Sequence, residues 1–120
     1  MPTKNDTNDS HGAPLTPAVF HILLALADGP RHGYGIMQSV KDTAGLEMGP
    51  GTIYGSIQRM EDSGLVSEVA AADLDDNGDA RRRYYDLTDG GRLALQTESG
   101  RVARLAELVR SKNLLPGGGA

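Results

Sequence analysis

The chain of 120 residues contains no cysteine and no tryptophan, and phenylalanine occurs once. The lack of cysteine excludes a disulfide framework and a thiolate zinc site. No apolar run approaches membrane-spanning length, and the N-terminus lacks the hydrophobic core of a signal peptide. We therefore expect a cytoplasmic protein with no membrane partner. A chain this short predicts one small domain, which leaves some apolar surface to be covered by a partner subunit.

Positive charge is also scarce, because 12 lysines and arginines face 16 aspartates and glutamates, for a net charge of -4. Binding to nucleic acid requires cations that neutralise phosphates, so the overall charge disfavours it. However, Arg81, Arg82 and Arg83 are consecutive within the most acidic part of the chain. This clustering is compatible with a locally basic site on an acidic protein.

The sequence offers no recognisable catalytic constellation. Its serines lack a nucleophile-elbow context, and its histidines, His11, His21 and His32, follow neither the order of a triad nor the spacing of a metal site. The glycine-rich stretch 49–55 has the wrong spacing for a nucleotide loop and no βαβ unit around it. We predict neither an enzyme nor a bound cofactor.

The acidic stretch 73–79 matches the first half of a calcium-binding loop, with Asp73, Asp75, Asn77 and Asp79. That loop needs a bidentate glutamate at its twelfth position, which here is Tyr84, and it needs flanking helices. An acidic hairpin turn with no metal is the predicted structure, although a weak divalent-ion site stays open.

The first two helices are predicted from their ends and their apolar spacing. Residues 1–14 are polar and predict a disordered tail. After it, Thr16 can cap a helix whose first turn accepts Pro17. A second, shorter helix begins near His32, which is expected to be a cap or a packing residue, and contains Tyr34 as an expected core anchor.

The third helix, residues 51–63, is predicted to be the organising element of the chain. Ile53, Ile57 and Met60 are spaced for one buried face, whereas the opposite stripe is small and hydrogen-bonding. That stripe contains Thr52, Gly55, Ser56 and Arg59, as expected for a surface that another molecule approaches closely. An ordinary amphipathic helix with a polar solvent face is the alternative.

After Gly64 the pattern becomes strand-like. Residues 65–70 and 82–87 predict two strands joined through Asn77-Gly78, the strongest hairpin signal in the chain. Thr88 then caps a long helix at residues 89–113, and residues 114–120 form a flexible tail. The long helix is predicted to mediate dimerisation, with packing against its own domain as the alternative.

These elements follow the order of a winged helix-turn-helix protein, and several motifs resemble the PadR-like family of bacterial transcriptional regulators, in its short branch with a single C-terminal helix. The resemblance spans residues 15 to about 110. It is carried by Leu15-Thr16-Pro17, Gly29-Pro30-Arg31-His32-Gly33-Tyr34, Gly51-Thr52-Ile53-Tyr54, Gly64-Leu65-Val66 and Arg83-Tyr84-Tyr85-Asp86-Leu87-Thr88 followed by Gly91-Arg92. It implies a homodimer that binds a pseudo-palindromic operator and usually represses, with effectors often bound between subunits.

Two features depart from that family pattern. Arg59 is the only cation of the third helix, and the predicted wing tip is unusually acidic. An acidic tip would repel DNA phosphates, so the arginines lower on the hairpin are the better candidates for backbone contacts.

The predicted fold is therefore mainly α (α+β): a winged helix-turn-helix domain at residues 15–88, a two-stranded wing and the C-terminal dimerisation helix. The partners are double-stranded operator DNA, a second copy of the chain and a small-molecule effector of unknown site. The DNA-binding candidates are Thr52, Tyr54, Ser56, Gln58, Arg59, Arg81, Arg82 and Arg83, and the dimerisation candidates are Phe20, Leu95, Val102, Leu105, Leu108 and Val109. The competing interpretation is a winged-helix module that binds a protein and not DNA, which the net charge would suit.

Overall fold

The computed structural model describes residues 14–70 and 82–117. This part of the chain forms four helices and one three-stranded sheet: α1 (Pro17–Leu26), β1 (Arg31–His32), α2 (Gly33–Ala44), α3 (Pro50–Asp62), β2 (Val66–Val69), β3 (Tyr84–Leu87) and α4 (Asp89–Ser111). The order confirms the predicted winged helix-turn-helix. The calcium-like stretch with the Asn77-Gly78 turn, Arg81, and nearly all of the N-terminal tail lie outside the described residues.

Side-chain caps start α1 and α4 where the sequence predicts them. The hydroxyl of Thr16 accepts a hydrogen bond from the Val19 N–H at 3.2 Å, and the hydroxyl of Thr88 accepts one from the Gly91 N–H at 2.9 Å. Such caps satisfy backbone donors that a helix leaves unpaired in its first turn. Pro17 occupies the first turn of α1, where it costs no hydrogen bond.

The core is formed by one apolar face from each helix and by the inner face of the sheet. Its largest fully buried side chains are Ile22, Leu23, Leu26, Ile36, Val40, Ile53, Ile57 and Met60. Tyr34 was expected in this core, and that prediction is wrong, because the side chain is 57% exposed. On α2 the buried positions are Ile36 and Val40, and a residue two positions before Ile36 points to the other side of the helix.

The sheet has the strand order β1-β3-β2, with both pairs antiparallel. β2 and β3 form the base of the predicted wing, from Val66 opposite Leu87 to Val69 opposite Tyr84. The two-residue strand β1 was not predicted, because two residues are too few to show a period. It pairs His32 with Tyr84 and thereby fixes the start of α2 to the wing.

The long helix α4 is packed at its N-terminal end and exposed beyond its middle. Ala94, Leu95 and Glu98 are buried, whereas Val102 and Leu105 are exposed. Leu95, predicted to lie in a dimer interface, is instead part of the core of its own chain. Within residues 14–70 and 82–117, no helix combines the length and hydropathy needed to cross a bilayer.

Glu98 connects α4 to the segment that precedes α1. Its buried carboxylate accepts a hydrogen bond from the Leu15 N–H at 3.3 Å and two from the Arg101 guanidinium. The bonds from Arg101, helped by the one from Leu15, outweigh burial and lower the pKa of Glu98 below its ordinary value. The position of α4 on the domain is thus fixed by a charged contact as well as by apolar packing.

Candidate nucleic-acid interface

The predicted recognition helix α3 has one buried and one exposed face, as its sequence indicates. Ile53, Ile57 and Met60 are almost completely buried. On the other side Thr52, Tyr54, Gln58 and Arg59 are exposed, so their polar groups are available to a ligand. The helix therefore presents four of its five predicted DNA-binding residues to solvent.

Ser56 is the exception, because its side chain is only 1% exposed. Its hydroxyl accepts a hydrogen bond from Arg59 Nη2 at 3.3 Å. Ser56 lies three residues from both Ile53 and Arg59, and this places it at the edge of the buried face rather than in the middle of the exposed stripe. The prediction of a direct contact by Ser56 is not supported by this placement, which gives the residue a supporting role under Arg59.

Tyr54 connects α3 to the start of α2. Its ring occupies the space that a Cβ on Gly33 would take, so the absence of a side chain at Gly33 permits the contact. Half of the Tyr54 side chain nevertheless remains exposed. The close approach holds the ring at the surface, with its hydroxyl at the helix junction.

The sheet contributes two arginines next to this helix face. Arg82 and Arg83 are exposed and directly precede β3, whereas Arg81 lies outside the described residues. Arg83 interacts with the Tyr85 hydroxyl and favours its ionised form. Burial, reinforced by the charges of Glu61 and Glu68, outweighs this effect and raises the pKa of Tyr85 above its ordinary value.

His32 caps α2 and reaches the arginine pair. Its Nδ1 accepts a hydrogen bond from the Gly35 N–H at 2.9 Å, which confirms the predicted capping role. The other ring nitrogen, Nε2, lies 2.8 Å from Arg82 Nη1. Its ring also stacks with Tyr34 at 6.4 Å between centroids. The contact between His32 and Arg82 was not predicted from the sequence, because the proximity of residues 32 and 82 depends on the pairing of β1 with β3.

These side chains converge on one open cleft of about 480 Å³ between α3 and the sheet. Its lining contains polar side chains from the sheet region, from α2 and from α3: His32, Tyr34, Tyr54, Gln58, Arg82 and Arg83, together with Ile57, Glu61 and Tyr85. Most of these polar groups donate hydrogen bonds, which suits a ligand that carries acceptor oxygens. Among the described residues of the lining, Glu61 is the one carboxylate.

A second exposed surface lies on the C-terminal half of α4. Val102, Leu105 and Leu108 are 37%, 45% and 50% exposed, and Val109 is partly buried. Steps of three and four residues place these side chains on the same face as the buried Glu98, one to three turns further along. An apolar stripe that begins in the core therefore continues into solvent. Phe20 on α1 is partly buried and packs against the core.

Comparison with known protein families shows which family the chain belongs to. The model of the transcriptional regulator PadR-like family matches residues 22–97, which include α2, α3, the sheet and the packed half of α4. The chain belongs to the PadR-like family. The resemblance inferred from the sequence motifs is thereby confirmed.

Two sequence relatives support the PadR-like assignment. The transcriptional regulator Rv3488 of Mycobacterium tuberculosis is 42% identical over 91 residues, covering 75% of this chain and 77% of that protein. An uncharacterized 37.1 kDa protein in a transposon of Streptomyces fradiae is 40% identical over 88 residues, which cover 73% of this chain. The chain spans about a quarter of the length of that Streptomyces protein.

Solved structures of PadR proteins share the fold. A PadR family regulator from Clostridium difficile has a TM-score of 0.69 at 23% identity, covering 80% of this chain and 97% of the other. Bacillus subtilis PadR, solved in complex with operator DNA, has a TM-score of 0.58 at 23% identity, covering 70% of this chain and 47% of the other.

Proposed function

We propose that this PadR-like protein is a homodimeric DNA-binding repressor. One observation carries the proposal: Tyr54 and Gln58 of α3 line the same cleft as Arg82 and Arg83 of the sheet. A helix for the major groove and cations for the adjacent backbone thus belong to one continuous surface. This is the arrangement that a winged helix-turn-helix needs to bind a duplex.

In the proposed complex α3 lies in the major groove. Arg59 is the one side chain of α3 able to make a bidentate contact with guanine, and its bond to Ser56 holds it in place. Thr52 and Gln58 are exposed on the same helix and contact base edges or sites next to them. Bacillus subtilis PadR, a protein of the same fold, has been solved in complex with operator DNA, and this supports DNA as the ligand.

The phosphate backbone is contacted by groups that flank α3. Arg82 and Arg83 lie at the start of β3 beside the cleft, and we assign Arg81, which precedes them in the chain, to the same role. The Tyr54 hydroxyl lies where α3 meets the start of α2, and we assign it to a phosphate contact from this position. Contacts of this kind position the protein and carry no sequence information.

The homodimer is proposed to form through residues 89–113. The exposed apolar stripe of Val102, Leu105, Leu108 and Val109 needs a partner, and a second copy offers an identical stripe. Phe20 lies at the edge of the core and is assigned to the periphery of this interface. Residues 15–88 then form the DNA-binding domain of each subunit. Two-fold symmetry predicts a pseudo-palindromic operator, and we place the small-molecule effector between the subunits.

Fluorescence anisotropy with labelled duplexes tests the proposal. The full chain is titrated onto DNA from upstream of its own gene and onto a scrambled duplex, each at two salt concentrations. We expect preferential binding to the upstream duplex and a steep loss of affinity with added salt, because bound cations release counterions from DNA. Equal and negligible binding to both duplexes would favour the alternative, a winged-helix module that binds a protein.

A further inference from the structure

Gln58 and Asp62 are joined by a hydrogen bond on the exposed face of α3. Nε2 of the Gln58 amide donates to Oδ1 of Asp62 at 3.4 Å, one helical turn further along. Both side chains are exposed, and Gln58 also lines the cleft between α3 and the sheet. At about 100° per residue, Asp62 lies about 180° around the helix from the buried Ile53. Its carboxylate therefore lies at the centre of the surface assigned to the major groove.

A carboxylate at position 62 is unfavourable for the end of the helix. Asp62 is the last residue of α3, where the negative end of the helix dipole repels an anionic side chain. On a surface that approaches DNA, the same charge also repels phosphates. Arg59, three residues earlier, donates instead to the Ser56 hydroxyl, toward the other end of the helix. The contact that Asp62 makes in the structure is with Gln58, so we look for its effect in the orientation of that amide.

The bond to Asp62 limits what Gln58 can offer to a base pair. A glutamine amide has two N–H donors and one carbonyl acceptor. Asp62 accepts from one N–H, which leaves the second N–H and the carbonyl oxygen for a ligand. In the major groove adenine presents an acceptor, N7, and a donor, the N6 amino group, whereas guanine presents two acceptors, N7 and O6. The remaining donor and acceptor of Gln58 match adenine, and they cannot supply the two donors that guanine needs.

We propose that Asp62 is a specificity-determining residue that orients Gln58 to bind adenine in preference to guanine at one position of each operator half-site. This inference rests on the proposed DNA-binding function and adds to it a positioning residue and the base that Gln58 recognises. Arg59, held by Ser56, has the two donors that suit guanine. Side chains 58 and 59 leave the helix about 100° apart, so they contact different base pairs. The exposed face of α3 thus has two residues of opposite base preference, each oriented by a neighbour one turn away.

Fluorescence anisotropy on an upstream duplex and its single-base variants tests this role. Q58A first identifies the base pair that Gln58 contacts, because the base preference disappears there. D62A removes the acceptor, so the amide is free to turn and donate both N–H groups to guanine. D62N is the matched control, since it removes the charge but keeps an oxygen acceptor of similar size for Gln58. Melting temperatures of all variants check the fold.

At that base pair we expect the wild type to prefer adenine over guanine by about tenfold or more. D62N should keep this preference within about twofold, whereas D62A should reduce it to about threefold or less. In a Q58A background, D62A should no longer change the base preference, because Asp62 acts through the amide. Removal of the negative charge should raise the affinity for all duplexes in D62N and D62A alike, which leaves the ratio between bases unaffected.

Several outcomes would overturn the role of Asp62 while leaving DNA binding intact. A D62A protein that keeps the wild-type preference would show that the amide needs no partner. A D62N protein that loses as much preference as D62A would show that the charge acts and not the hydrogen bond. A wild type that prefers a base other than adenine at the identified position, or a Q58A protein that keeps every base preference, would overturn the inference as well. A wild type that binds no duplex overturns the proposed function and this inference together.

Discussion

The ring of Tyr54 lies on the backbone of Gly33, in the space where any other residue would place its Cβ. This contact joins the recognition helix to the start of α2. The colliding atoms belong to the outer end of an exposed ring, so the ring can swing away when the space is filled.

Gly33→Ala should therefore change function more than stability. We expect the free energy of unfolding to change by no more than about 1 kcal/mol, because alanine also favours the helix. DNA affinity should fall about tenfold as the Tyr54 hydroxyl leaves its position. Anisotropy on the upstream duplex measures the effect. In a Tyr54→Phe background, which already lacks the hydroxyl, the same glycine substitution should cost little more; a full second loss would contradict this account.

Gly91→Ala, in contrast to Gly33→Ala, should lower stability strongly. Its Cβ would collide with the backbone carbonyl of Leu65, which cannot move without shifting the junction between α3 and β2. We expect a loss of about 2–3 kcal/mol or more in the free energy of unfolding, measured with urea. Gly100→Ala on the same helix is the control, because only the tip of Arg104 lies near, at 3.6 Å, and the change should stabilise the helix by about 0.5–1 kcal/mol. Equal effects at both glycines would contradict the prediction.

The Glu98 carboxylate predicts a pH dependence of stability. Because its pKa is lowered in the folded chain, mainly by Arg101, the stabilisation is complete above the ordinary carboxyl pKa of about 4.3. It is lost as the pH falls through the lower pKa of the folded state. We expect Glu98→Gln to lower the urea midpoint at neutral pH and the gap to the wild type to close in acid. A gap that stays constant from neutral pH to pH about 3 would exclude this role.

The exposed stripe of α4 predicts the oligomeric state. Leu105→Glu places a charge in the middle of the proposed interface and should convert dimers to monomers in sedimentation experiments. Ala103→Glu adds the same charge on the opposite face of the helix, since two residues correspond to about 200° of rotation. That control should remain dimeric, and the same response from both variants would refute an interface on the Leu105 face.

Arg59 and Arg82, two exposed arginines of the proposed DNA surface, should behave differently. Arg59→Ala is expected to relax specificity at one operator position at a cost of about 1–3 kcal/mol, because a bidentate base contact is lost. Arg82→Ala should weaken binding to all sequences alike. Anisotropy on an operator library with single base changes distinguishes the two. If both substitutions lowered the affinity for specific and for random DNA equally, these assignments would be wrong.

Local signals predicted the helices well, because caps and apolar spacing are properties of neighbouring residues. Thr16 and Thr88 cap their helices as predicted, and the buried face of α3 contains the predicted Ile53, Ile57 and Met60. The prediction that Tyr34 anchors the core is wrong, because the helical phase set by Ile36 turns this residue outward.

The candidate site was only partly predictable for a different reason. Residue types indicated the exposed face of α3 and the arginines that precede β3, but not how they are arranged. The meeting of His32 with Arg82 spans fifty positions and depends on the pairing of β1 with β3. Leu95 and Ser56 lie at the edges of their stripes, where periodicity does not say whether a side chain faces the core or a partner.

Because one half of α4 is buried in the domain and the other half is exposed, a small rotation at one end of the helix produces a large displacement at the other end. Its 23 residues extend about 35 Å, and the Glu98 carboxylate, which Arg101 of the same helix holds in place, joins the inner half to the domain through the Leu15 N–H. In a dimer joined through the outer half, a tilt of roughly 10° at the interface would displace the far end by about 6 Å. A ligand that changes how the two outer halves cross would thereby alter the distance between the two recognition helices without touching either one.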